Sequence, residues 1–112
     1  MTAPVDLTNL HEMTDNDTEM EKLLFAEFCT SFEKGIDALK NSFNETESET
    51  WRAEAHGLKG IALNLGAETL GMLCKKGQDD FKASAEAKNE IFKGIAAEYE
   101  NVKQFLHSSG LL

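Results

Sequence analysis

The chain has 112 residues, of which 41% are hydrophobic and 28% are charged, and its single proline favours long uninterrupted elements over turn-rich β architecture. This length suits one hydrophobic core, so we expect residues 1–112 to form a single domain. The net charge of −9 argues against binding to nucleic acid or to an anionic membrane surface, because basic patches supply most of the affinity for both.

No secretory signal and no metal-binding pattern is visible in the sequence. The first ten residues contain no basic segment followed by an apolar run, and no apolar stretch approaches the roughly 20 residues that span a bilayer, so we expect a cytoplasmic protein. Cys29 and Cys74 are far apart and fall on apolar helix faces, which predicts buried free thiols. The histidines at positions 11, 56 and 107 form no metal-binding pattern, and no metal or cofactor is expected.

Apolar residues recur at helical spacing along the chain. A short helix is predicted over residues 5–13, followed by a long helix over about 17–44. Capping candidates stand at its start, and acidic residues in its first turn suit the positive end of a helix. These candidates are Asp15, Asn16 and Asp17.

Three further helices are predicted. The first covers about 48–65, with an N-cap near Ser48, and Gly66 marks the turn that ends it. The next bears Leu70, Leu73, Cys74 and Phe81. The last covers about 84–107, and residues from about 108 to 112 are expected to fray. No segment alternates with period two, so the sequence predicts an all-α fold, an antiparallel up-down four-helix bundle with a short additional N-terminal helix.

The helix over 48–65 has an unusual polar face. Its apolar stripe consists of Trp51, Ala55, Leu58, Ala62 and Leu65. At about 100° per residue, His56 lies roughly 140° from the centre of that stripe and should project into solvent. Lys59 and Gly60 follow three and four positions later and adjoin His56 on the same face.

Small and apolar residues surround this histidine. Gly57 and Gly60 would allow another molecule's backbone to approach the imidazole. Leu63 is an apolar residue on a face predicted to be exposed, which suits docking, and Arg52 and Ala53 complete the neighbourhood.

A neutral imidazole can act as a nucleophile, and Lys59 would offset the charge of a phosphoryl group on it. These residues leave two interpretations open, a phosphoryl acceptor and an interaction face without chemistry.

Here the sequence resembles the histidine-containing phosphotransfer (HPt) domains of two-component phosphorelays. The family pattern A-H-x-L-K-G is present at Ala55–Gly60, and the L-G-A that follows in the family is present at 65–67. Cys74 and Gln78 stand where such domains often carry a small residue or cysteine and, twenty-two positions after the histidine, a Gln or Glu.

The resemblance implies a four-helix bundle in which His56 carries phosphate between receiver-domain aspartates. Lys59 would stabilise the phosphoryl charge, Gly60 would leave room for the receiver, and Gln78 would hydrogen-bond near the imidazole. The implied partners are response-regulator receiver domains and a (hybrid) histidine kinase, with Mg²⁺ supplied by the receiver. The chain would be a monomer that binds no ATP and is not an enzyme by itself.

Two residues depart from the family pattern. Gly77 replaces a bulky aliphatic residue and is expected to loosen the helix that holds Gln78, and Gly57 replaces a larger residue after the histidine. A helical adaptor or inhibitor that binds a signalling partner through the same face, without accepting phosphate, is the alternative function.

Overall fold

A computed structural model describes residues 3–43 and 48–111, and within these ranges the chain forms helices and no strand. The five helices are α1 (Thr8–Thr14), α2 (Thr18–Lys40), α3 (Glu49–Leu65), α4 (Glu68–Asp79) and α5 (Ala85–Ser108). The predicted all-α fold is therefore confirmed. Two boundaries differ from the prediction: α2 ends at Lys40 because the chain turns there, and Phe81 lies beyond α4 in the connection to α5.

Short polar side chains fix the starts of the three longest helices. Asp17 accepts a hydrogen bond from the Met20 amide at 3.2 Å, and Ser48 and Ser84 cap α3 and α5 in the same way. Each such cap satisfies an amide that has no partner inside the helix and contributes about 1 kcal/mol. The cap at Ser48 sets the first residue, and hence the register, of the helix that carries His56.

The four long helices enclose one core. Each of α2, α3 and α4 packs against the next helix in the chain, α5 closes the ring against α2, and α1 packs on α2. Helices joined by short connections lie antiparallel, so the arrangement is the predicted up-down bundle with an additional N-terminal helix. All five residues of the predicted α3 stripe are buried, and this places the opposite side of α3 in solvent.

A tight turn joins α3 to α4. Gly66 adopts φ 92°, a left-handed conformation that favours glycine, and the Ala67 amide donates back to the Ala62 carbonyl oxygen at 2.9 Å. The N-terminal segment docks on this turn, because the Asp6 amide donates to the Gly66 carbonyl oxygen at 2.9 Å and Val5 is buried. A side chain on Gly66 would collide with the Asp6 carbonyl group.

The sequence predicts fraying from about residue 108, and the structure describes the chain through Leu111. Helix α5 includes Ser108, and the Leu111 amide donates to the Leu106 carbonyl oxygen at 2.9 Å. Gly110 takes a positive φ of 77°, which turns the chain so that Leu111 packs into the core. Leu112 lies outside the described residues.

Neither cysteine forms a disulfide, as predicted. Cys74 is buried and Cys29 is half-buried. Among the helices in the part of the chain that the structure describes, none is both long and apolar enough to cross a bilayer.

Candidate functional site

The outward face of α3 is open around His56. His56, Arg52, Ala53 and Gly57 are exposed, and Gly60 is half-buried. A methyl group added at Gly57 or Gly60 would meet no other atom within 4 Å. Packing inside the protein therefore does not require glycine at these positions. Each glycine nevertheless costs the helix about 1 kcal/mol relative to alanine.

His56 contacts Gln78, which lies on the neighbouring helix α4. The Nδ1 atom of His56 and the Oε1 atom of Gln78 are 3.1 Å apart. An amide oxygen can only accept, so Nδ1 carries the hydrogen and donates it. In the neutral imidazole the lone pair is then on Nε2, the ring nitrogen that Gln78 does not contact.

Gly77, which the sequence predicts to loosen α4, contacts α3 through its backbone. The indole Nε1 of Trp51 donates to the Gly77 carbonyl oxygen at 2.7 Å. A methyl group on Gly77 would approach Ile91 Cγ2 to 3.3 Å and Trp51 Cζ2 to 3.6 Å. The glycine thus allows Trp51 to lie close to α4, one residue before Gln78.

Lys59 lies one turn after His56 and acts on an acidic residue of α4. The pKa of Asp79 is lowered by its hydrogen bond to Lys75, and the positive charges of Lys75 and Lys59 lower it further. The Lys75 Nζ atom is 2.8 Å from Asp79 Oδ2. This acidic side chain, which the sequence analysis did not single out, therefore lies within the electrostatic reach of two cations beside the site.

Arg52 lies one turn before His56. Its guanidinium carbon is 5.0 Å from the centroid of the Phe81 ring, and its Nη1 atom is 3.6 Å from Glu49 Oε2. A shallow depression of about 350 Å³ opens here, and its lining is formed by Glu49, Arg52, Ala53, His56 and Gln78. The i, i+3 spacing of Glu49 and Arg52 could have indicated this pair, but no signal in the sequence places Phe81 beneath Arg52.

Leu63 is exposed to 45% and also covers part of α4. A methyl group on Gly71 would come within 2.5 Å of Leu63 Cδ2, so the leucine packs directly on the α4 backbone. The structure therefore separates Leu63, on the contact between α3 and α4, from the residues that line the depression around His56.

Cys74 lies on α4 but takes no part in this surface. Its side chain is fully buried, and burial raises the pKa of the thiol to about 12. A thiol with this pKa is protonated at neutral pH and is a poor nucleophile. Of the residues that resemble the family pattern, His56 is thus exposed, whereas Cys74 belongs to the core.

Comparison with known proteins identifies a family for this chain. No curated protein and no solved structure matches the chain. A family model described as "Hpt domain" matches residues 23–105, which is more than half of the chain and includes the whole of α3 and α4. Hpt domains are helical phosphocarriers of histidine phosphotransfer in two-component signalling. This chain, with an exposed histidine on its motif helix, belongs to the Hpt domain family.

Proposed function

We propose that this protein is a phosphorelay carrier in which Nε2 of His56 reversibly accepts a phosphoryl group from a receiver-domain phosphoaspartate and passes it to another receiver. The observation that carries the proposal is the 3.1 Å contact between His56 Nδ1 and Gln78 Oε1 on an exposed helix face. This contact holds the ring and keeps the hydrogen on Nδ1, so the nucleophilic lone pair is on the other nitrogen.

The phosphoryl transfer requires no separate acid or base. The Nε2 lone pair attacks phosphorus, an N–P bond forms, and the bond from phosphorus to the aspartate oxygen breaks with its electron pair on the carboxylate. The phosphorylated ring keeps the hydrogen on Nδ1 and carries a positive charge, which the Gln78 oxygen stabilises as hydrogen-bond acceptor. In the return step the N–P electron pair goes back to Nε2 and neutral imidazole is regenerated.

Lys59 contributes positive charge one turn from the imidazole and offsets the charge of the phosphoryl group. The receiver supplies the Mg²⁺ and most of the remaining electrostatic stabilisation, and the chain needs no ATP site of its own. Gly57, Gly60 and Ala53 present no bulk beside His56, which gives a receiver's phosphorylated loop access to the ring. The proposed partners are response-regulator receiver domains and a (hybrid) histidine kinase.

The test is phosphate uptake by the intact chain. Wild-type protein, His56→Gln and His107→Gln are incubated with a panel of phosphorylated receivers and Mg²⁺, and separately with a small phosphoramidate donor. Intact mass and acid lability measure the label. His107 is the matched control because it is an exposed histidine near the end of α5.

Labelling of wild type and His107→Gln, with none on His56→Gln, is the expected result. A folded wild-type protein that binds a receiver but takes up phosphate from no donor would contradict the carrier and support the adaptor.

A further inference from the structure

His56 lines a shallow depression together with Arg52, and Lys59 is not among the residues that line it. Side chains on an α-helix tilt toward its N-terminus, so a residue covers the turn that precedes it. On α3 that turn contains Arg52 and Ala53, and both line the depression with His56, whereas Lys59 does not. Arg52 is therefore a cationic side chain that lines the same depression as the His56 imidazole.

We propose that Arg52 binds the phosphoryl group carried by His56, and that Phe81 positions the Arg52 guanidinium for this role. The inference rests on the proposed function and adds a second phosphoryl-binding cation to Lys59. Arg52 forms and breaks no covalent bond in the transfer. It donates N–H hydrogen bonds to the phosphoryl oxygens and remains protonated throughout.

The existing contacts of Arg52 are compatible with such a role. Its ion pair with Glu49 spans 3.6 Å, with both side chains more than half exposed, and pairs of this kind are weak. A guanidinium presents five N–H donors in a planar fork that matches phosphate oxygens. A phosphoryl group can therefore form closer hydrogen bonds to Arg52 than Glu49 does. Glu49 and the phosphoryl group would compete for the same cation.

Phe81 supplies a platform from outside α3. It follows the end of α4 and is half-buried, and its ring lies 5.0 Å from the Arg52 guanidinium and 5.7 Å from Lys82 Nζ. A guanidinium that rests on an aromatic ring is held in place while its in-plane N–H groups stay available. The ring thus limits the conformations of Arg52 beside the depression.

The test uses the small phosphoramidate donor, because uptake from it does not depend on receiver docking. Rates of uptake and the half-life of the phosphohistidine are measured by intact mass for Arg52→Gln, Arg52→Lys, Phe81→Leu and the double variant. Lys93→Gln is the matched control: Lys93 forms an exposed i, i+3 pair with Glu90, also at 3.6 Å, on α5. Circular dichroism checks that each variant is folded.

We expect Arg52→Gln to slow uptake about tenfold, as for loss of a hydrogen bond to a charged group, with Arg52→Lys intermediate and Lys93→Gln unchanged. Phe81→Leu should slow uptake less, and should have no further effect once Arg52 is glutamine, because it acts through Arg52.

Three results would overturn the inference. Phosphate uptake by Arg52→Gln at the wild-type rate would contradict phosphoryl binding by Arg52, while His56 would remain the proposed acceptor. If Phe81→Leu slows uptake further in the Arg52→Gln background, Phe81 does not act by positioning Arg52. A wild-type chain that no donor labels overturns the proposed function itself, and this inference with it.

Discussion

Trp51 and Gly77 join the helix that carries His56 to the helix that carries Gln78. The Trp51 indole donates to the Gly77 carbonyl oxygen at 2.7 Å, and both groups are buried. This carbonyl lies in the last turn of α4, where backbone oxygens have no partner inside the helix. The hydrogen bond satisfies it and fixes the separation of α3 and α4 next to the residue that contacts the imidazole.

Trp51→Phe should therefore weaken both the fold and the site. The substitution leaves a buried carbonyl oxygen without its donor, at a cost of about 1–3 kcal/mol in the free energy of unfolding. Urea denaturation followed by circular dichroism measures this cost, and phosphate uptake should fall because Gln78 is held less firmly. Phe92→Leu, which alters a half-buried aromatic residue on α5, is the control for general core damage. An unchanged urea midpoint in Trp51→Phe would show that the hydrogen bond contributes nothing.

Substitutions of Gln78 test how the imidazole is held. Gln78→Ala removes the acceptor for the Nδ1 hydrogen and should slow uptake about threefold to tenfold. Gln78→Glu places a carboxylate there, which favours the protonated ring, so the neutral nucleophile forms only at higher pH. Half-maximal uptake should move up by about one pH unit.

The matched control for this charge change is Gln104→Glu, at an exposed position of α5. The pH profile of uptake from the small donor is the measurement. Equal profiles for Gln78→Glu and Gln104→Glu would contradict the proposed contact.

Substitution of the two glycines beside His56 should have opposite effects on stability and on transfer from a receiver. Gly57→Ala and Gly60→Ala add a methyl group that meets no atom within 4 Å, so each should raise the free energy of unfolding by about 1 kcal/mol. Transfer from a receiver should slow, while uptake from the small donor should stay near the wild-type rate. Gly94→Ala, at an equally open position on α5, should gain stability without slowing either reaction. Faster or unchanged transfer from the receiver in Gly60→Ala would argue against close approach at this glycine.

Glu21 should make the attachment of α1 to α2 sensitive to acid. Its buried carboxylate accepts hydrogen bonds from His11 Nδ1 and Thr14 Oγ1, both at 2.7 Å. The hydrogen bond to His11 has the largest effect and lowers the pKa of Glu21, and the hydrogen bond to Thr14 lowers it further. A lowered folded-state pKa gives stability that is fully present above the usual glutamate pKa and is lost as the pH falls through the lowered value.

Glu21→Gln should thus destabilise the protein at pH 7, and its difference from wild type should shrink at pH 3. Urea midpoints at the two pH values measure this, with Glu27→Gln, an exposed residue of α2, as the control. A difference that stays the same at both pH values would assign the effect to packing and not to charge. This contact also gives His11, to which the sequence analysis assigned no role, a structural one.

Local signals predicted most of the fold. The spacing of apolar residues defined each helix and the buried side of α3, and short polar residues before the helices predicted the caps at Asp17 and Ser48. The burial of Leu111 was not predicted, because Leu111 reaches the core only after Gly110 turns the backbone, which no helical period describes.

Less of the candidate site than of the fold could be predicted from the sequence. The position of His56 follows from helix geometry alone, but its contact with Gln78 depends on how α4 is rotated against α3. Trp51 and Gly77, a pair separated by 26 positions, form a hydrogen bond across this interface that no local pattern in the sequence indicates. The cation–π contact between Arg52 and Phe81 likewise arises from the path of the chain after α4 ends.

The core of this protein extends beyond the segment that the family model matches. The family match begins at residue 23, inside α2, and ends at residue 105, before the end of α5. The residues outside it include Val5, Leu10, Leu106 and Leu111, all of which are buried in the core. A protein trimmed to the matched segment would keep every residue proposed for phosphate transfer and lose part of the interior that holds them in place.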